Sequence, residues 1–239
     1  HHTIEQGMGI DAGSKIAFTI GDITEIFLVA AIKEVFAEWG QHNGSVYCTG
    51  ADQAEVYLSV DLGGDKVAQI AGHPDGFMRF ESSMGVIHDA VLEVKSMSDY
   101  AFKRFRDSGL SRDDSYYWQV QAYMAATEKK MAYMISYGKA TTAKEAYIND
   151  NGEWWPASPI HGQWIFRDEE VIEQIRNKFR RVIQSQSPDD IERPHGPNKK
   201  GMLAYPCDYC RYYKTCFPGA EEGAKESKWL QKSTKIKVY

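Results

Sequence analysis

Apolar residues recur at mostly helical spacing in the first part of the chain: Ile26, Val29, Ala30, Ile32, Val35, Phe36 and Trp39. Gly21-Asp22-Ile23-Thr24-Glu25 opens this stretch and Gly40 is a stop signal, so the pattern predicts an amphipathic helix over about 21–39. Shorter β-prone runs follow and predict strands at about 53–61, 67–80 and 86–95. Helical period returns at about 98–107 and 113–130, then a strand is expected at 131–138, a Trp154-Trp155-Pro156 loop, and a strand near Gln163 to Arg167. A last helix over about 168–184 carries the stripe Val171, Ile172, Ile175, Phe179 and Ile183. Residues 1–20 show no clear period, and His1-His2 reads as a tag remnant or a native fragment outside the fold. The alternation of helices and strands predicts an α/β fold with a mixed central β-sheet flanked by helices. Its core is expected over 1–185; a second segment over 186–239 starts with a Pro-, Asp- and Gly-rich linker or lid.

Within this frame one constellation carries chemistry. Pro74-Asp75 stands between apolar, β-prone neighbours, and Glu93-Val94-Lys95 lies on what reads as the next strand. Strand side chains alternate faces, so Glu93 and Lys95 point the same way while Val94 points into the core. Two carboxylates and an ammonium at one place are costly unless their charge is offset, and an oxygen-only donor set suits a hard ion such as Mg²⁺ or Mn²⁺. The plainer alternative is that Asp75 caps an Asp-Gly turn and that Glu93 and Lys95 lie on a solvated strand face. Gln119 and Tyr123 are four apart and share a helix face.

The order Gly21-x-x-x-Glu25, Gly72-x-x-Asp75, Glu93-x-Lys95 and Gln119-x-x-x-Tyr123 resembles the RecB-like branch of the PD-(D/E)XK nuclease superfamily. That branch includes λ-type phage exonucleases, AddB-type nuclease domains and the iron–sulfur CRISPR adaptation nucleases. The resemblance implies a restriction-endonuclease-like core. It makes Asp75 and Glu93 direct metal ligands, adds the Val94 carbonyl as a third, and brings Glu25 to the metal directly or through water. It gives Lys95 the attacking water, and Gln119 and Tyr123 the support of Lys95 or the substrate strand. His73 reads as a contact to these groups or to substrate rather than as a ligand.

Cys207, Cys210 and Cys216 form a tight C-x2-C-x5-C group, with Cys48 far upstream. No secretory or bilayer-spanning apolar run is evident, which points to an intracellular, cytoplasmic setting (phage-encoded included), no membrane, and metal ligation over disulfides. The same nuclease group contains members with this C-terminal spacing, which implies a [4Fe–4S] cluster with Cys48 as fourth thiolate; Zn²⁺ is the alternative, with His195 able to complete a Cys3His site. Cys48 follows Glu25, whereas in the CRISPR relatives the lone cysteine precedes the first motif. Its other reading is a small buried thiol.

At 239 residues and 43% hydrophobic, the chain can bury one substantial core. Its net charge of −5 does not advertise nucleic acid, but the charge is uneven. Residues 171–239 hold 14 Lys+Arg against 8 Asp+Glu, leaving 14 against 25 in 1–170. Lys103, Arg104, Arg180, Arg181, Lys199 and Lys200 are therefore candidate DNA contacts, with a solvated charged face as the alternative. The expected function is a metal-dependent DNA exonuclease acting at duplex ends or on single strands, in recombination, repair or phage DNA processing. An endonuclease on the same fold and a non-catalytic DNA-binding module are the alternatives, and a homo-oligomer or repair partner proteins fit either.

Overall fold

The computed structural model describes residues 12–38, 44–139, 146–148, 154–156, 158–187 and 190–191. Helix α1 (Ala12–Glu38) precedes β1 (Ser45–Tyr47), β2 (Val56–Gly63), β3 (Lys66–Gly72), β4 (Gly76–Glu81) and β5 (Ile87–Met97). There follow α2 (Asp99–Ser108), α3 (Ser115–Thr127), β6 (Met131–Gly138), β7 (Ala146–Ile148), β8 (Trp154–Pro156), β9 (Ile160–Phe166) and α4 (Glu169–Gln184). A five-stranded sheet in the order β1-β4-β5-β6-β9 is mixed: β5 and β6 are parallel and the other pairs antiparallel. The parallel pair is possible because α2 and α3 form the long connection it needs. The β2–β3 and β7–β8 pairs are separate small sheets. This is the mixed α/β architecture with helices flanking a central sheet that the pattern predicts.

The central strand β5 is covered on both faces. Ala90, Leu92 and Val94 pack with Leu28 and Val29 of α1 and with Val46, Met78 and Ile135. Val91 and Met97 face the other way, onto Phe102 and Phe105 of α2 and Val120 and Met124 of α3. Burying each such side chain contributes roughly 1.5–3 kcal/mol, so β5 holds its register firmly. Helix α2 is bounded by its own sequence: Ser98 Oγ accepts the Ala101 N–H at 3.4 Å, and Gly109 ends it at φ 69°. Gln121, fully buried, donates from Nε2 to the Phe166 carbonyl and accepts the Asp168 N–H on Oε1, tying α3 to the β9–α4 junction. Arg112 reinforces that junction with two 2.8 Å bonds to the Asp168 carboxylate.

Several expectations change. Trp154-Trp155-Pro156, expected as a loop, is strand β8, because it pairs antiparallel with β7. The run 67–80 is two strands in different sheets, β3 and β4, because the chain turns a corner through His73-Pro74-Asp75; proline lacks the N–H a continuous ladder needs. Helix α1 starts at Ala12, nine residues before the expected onset, and runs through Gly21. Its sheet-facing stripe is Thr24, Leu28, Val29, Ile32 and Phe36, leaving Ile26 and Val35 exposed. Ile26 stands two residues from Leu28, about 200° around the helix, so the two cannot face one sheet. Trp39 and Gly40 lie outside the described residues. Among the described residues no helix is long and apolar enough to cross a membrane. The chain divides into two compact units, His1–Asn177 and Lys178–Tyr239, the boundary falling within α4.

Candidate active site

Strand alternation puts Glu93 and Lys95 on the α2/α3 face of β5, where Val91 and Met97 are core residues. Glu93 is 1% exposed and Lys95 19% exposed, which removes the solvated-face alternative. Lys95 Nζ donates to Glu93 Oε1 in a short ion pair. Glu93 Oε2 is buried without a hydrogen-bond partner. Asp75 leaves the corner just before β4, and the β4–β5 register, with Gly76 opposite Leu92, brings it beside Glu93 and Val94. Its Oδ2 accepts the Val94 N–H at 2.7 Å, and its Oδ1 accepts from Gln53 Nε2 at 3.4 Å.

Glu25 approaches from α1 and is half-buried. Burial raises its pKa, and the Asp75 charge raises it further. Burial also raises Asp75, with Lys95 and the Val94 N–H pulling the other way. Glu93 is pushed up to about 7 by burial, against the pull of Lys95, with the Asp75 and Glu25 charges adding to the rise. Burial of Lys95 pulls its pKa down, but Glu93 and Asp75 more than offset this and hold it above its usual value. Burial alone would have lowered the lysine; the carboxylates around it decide the sign.

Helix α3 roofs this group. Tyr116, Gln119 and Tyr123 lie at i, i+3 and i+7 and so share a face. The Tyr116 ring lies under Lys95 Nζ, 5.4 Å from its centroid. Gln119 Nε2 donates to the Tyr123 hydroxyl at 3.0 Å, and that hydroxyl donates to the His73 carbonyl at 3.1 Å. This pair therefore braces the corner carrying Asp75. Tyr123 can come this close because Gly72 lacks a side chain: a Cβ there would lie 2.8 Å from Tyr123 Cε1. His73 Nε2 lies 3.8 Å from Glu55 at the half-exposed rim.

Three carboxylates thus lie within electrostatic reach of one ammonium, and a dication would balance the excess. Among the described residues no three Asp, Glu, His or Cys side chains close on a common point as a ready-made cage. The donors nevertheless fit a hard divalent ion: all are oxygens, and Glu93 keeps one buried oxygen unpartnered.

Gln53 and Tyr116 were not foreseen. Tyr116 shares the Gln119/Tyr123 face and could have been found by extending that spacing backwards; Gln53 has no sequence signal. Lys103 pairs with Asp99 at 3.3 Å and Arg104 with Asp114, both on or beside α2. Arg180 and Arg181 lie at the end of α4, in the second unit. Cys48 follows β1 at φ 53°, half-buried and packed against the cluster that contains Phe77. Cys207, Cys210, Cys216, His195, Lys199 and Lys200 lie outside the described residues.

No family model matches the chain, and no curated protein matches it. Among solved structures, the crystal structure of SSO0001 is similar at 18% identity and a TM-score of 0.44, over 84% of this chain and 70% of that one. LHK-Exo in complex with dAMP is similar at 17% identity and a TM-score of 0.41, over 74% of this chain and 69% of that one. The alkaline exonuclease LHK-Exo from Laribacter hongkongensis is similar at 18% identity and a TM-score of 0.37, over 72% of this chain and 69% of that one.

Proposed function

We propose that this chain is a divalent-metal-dependent deoxyribonuclease that hydrolyses phosphodiester bonds from DNA ends or in single strands. One observation carries the reading: Glu93 and Lys95 share a buried strand face while Asp75 is pinned by the N–H of the residue between them. In this reading Asp75, Glu93 and the Val94 carbonyl hold Mg²⁺ or Mn²⁺, with Glu25 beside them directly or through water. A divalent ion bound there supplies Lewis-acid polarisation of the phosphoryl oxygen and acidifies water.

The chain's own groups do the rest. With its neighbours ionised, Lys95 is a cation suited to the charge that builds on the phosphoryl oxygens. With a divalent ion bound to Glu93 and Asp75, Lys95 would release one proton to solvent, and its neutral Nζ would then accept the proton of the attacking water. Glu93 and Tyr116 fix where that nitrogen stands. Gln119 and Tyr123 hold the Asp75 corner in place.

The basic C-terminal third, including Arg180, Arg181, Lys199 and Lys200, is the proposed DNA track, and Lys103 and Arg104 the proposed contacts on α2. By the resemblance to iron–sulfur nucleases, Cys207, Cys210 and Cys216, with Cys48 as the fourth thiolate, hold a [4Fe–4S] cluster, Zn²⁺ being the alternative; iron, sulfide and zinc content of anaerobically purified protein decides between them. The function is tested with end-labelled single- and double-stranded DNA and a covalently closed circle, with Mn²⁺ or chelator. Metal-dependent loss of the linear substrates alone supports the exonuclease. Equal cutting of the circle supports an endonuclease, and binding without cleavage supports a non-catalytic module.

A further inference from the structure

Ser136 of β6 stands directly beside Lys95 of β5 in the parallel register, and Met134 stands beside Glu93. With Ala132 and Met134 in the cluster that holds Val91, strand alternation puts Ser136 on that same face. The serine is fully buried, and its Oγ has no hydrogen-bond partner. Among the described residues one other buried side-chain oxygen shares this condition, Glu93 Oε2. The two orphaned oxygens therefore flank Lys95, one on its own strand and one on the next.

A buried hydroxyl without a partner loses its hydration and gains nothing back. Alanine would be less costly here, as Ala132 is on the same face four residues earlier. A locally unfavourable choice next to a functional group is expected where the group needs something the resting arrangement does not use. Lys95 Nζ has three donors, and its side-chain partner at rest is Glu93 Oε1. If Glu93 turns to a divalent ion, Lys95 needs another acceptor.

We propose that Ser136 is a positioning residue for Lys95, its hydroxyl being the acceptor that holds the Lys95 nitrogen when the Glu93 carboxylate is engaged. This rests on the nuclease reading above.

The test uses the full chain with Ser136→Ala and Ser136→Thr. Ser136→Ala removes an unpartnered buried hydroxyl, so the metal-free protein should melt about 2–4 °C higher. It should lower kcat on end-labelled DNA by roughly tenfold, the scale of one hydrogen bond to a charged group. The DNA KM and the calorimetric Mn²⁺ Kd should stay within about twofold, because Ser136 is fully buried and is not among the proposed metal ligands or DNA contacts. Ser136→Thr, which keeps the hydroxyl, should recover kcat to within about threefold. Wild-type kcat in Ser136→Ala, a lowered Tm, or an equal loss of kcat in Ser136→Thr overturns the positioning role. A wild-type chain that cuts no DNA with Mn²⁺ overturns the nuclease reading and this inference with it; an active wild type beside an unaffected Ser136→Ala overturns the inference alone.

Discussion

Asp75 Oδ2 accepts the backbone N–H of Val94 at 2.7 Å. The bond reaches across from the corner before β4 to the middle of β5. It fixes the Asp75 carboxylate against the strand whose side chains on either side of Val94 are Glu93 and Lys95. A side chain at a turn is otherwise free to point to solvent; here one backbone donor aims it into the site.

Asp75→Asn keeps an oxygen that can accept the Val94 N–H but removes the negative charge. Folding stability should change little. Mn²⁺ affinity and DNA cleavage should both fall by at least tenfold, because a neutral amide replaces an anionic ligand. Isothermal titration calorimetry with Mn²⁺ checks this, and unchanged binding removes Asp75 from the metal's ligands.

Lys95→Ala leaves both carboxylates in place and removes the ammonium they share. Cleavage should drop by about 10²- to 10⁴-fold, the usual worth of a positioned proton-transfer group, while DNA binding by filter retention persists. Turnover within a few-fold of wild type would refute the role given to Lys95.

Gly72→Ala places a Cβ 2.8 Å from Tyr123 Cε1. The ring must shift, and its hydrogen bond to the His73 carbonyl should weaken; the expected cost is about 1–3 kcal/mol. Because the clash needs the ring, Gly72→Ala combined with Tyr123→Ala should cost less than the sum of the single changes. Additive melting temperatures in that cycle would show that the strain lies elsewhere.

Glu93 has a folded pKa of about 7 against an ordinary 4.5. Between those values the folded chain keeps the proton and the unfolded chain has lost it, so stability falls as pH rises through this window. The full gap corresponds to about 3 kcal/mol. Metal-free wild type should lose this increment between pH 4.5 and 7 relative to Glu93→Gln, which cannot titrate. Adding Mn²⁺ should reverse the trend, since binding selects the ionised carboxylate. Parallel Tm–pH curves for wild type and variant in chelator would exclude Glu93 as the source.

Local periodicities were legible without any fold. Two-residue alternation alone puts Glu93 and Lys95 on one face and Val94 on the other, and the four-residue spacing puts Gln119 beside Tyr123, because both follow from backbone geometry within one element. Of the α4 stripe, Val171, Ile172 and Ile175 are buried as read, Phe179 is half-buried, and Ile183, in the last turn, is exposed. What depended on partners was not legible. Whether residues 67–80 form one strand or two was set by which strand each half pairs with: β3 with β2 and β4 with β5. The buried side of α1 was set by the sheet it crosses, so Ile26 and Val35 read as core and are exposed. Ser136 beside Lys95 is a matter of parallel register between strands joined through two helices, and no local pattern encodes that pairing. The charge state of the site was also a tertiary outcome. Lys95 is buried, yet its pKa rises because the fold surrounds it with Glu93 and Asp75, set side by side by the antiparallel β4–β5 register.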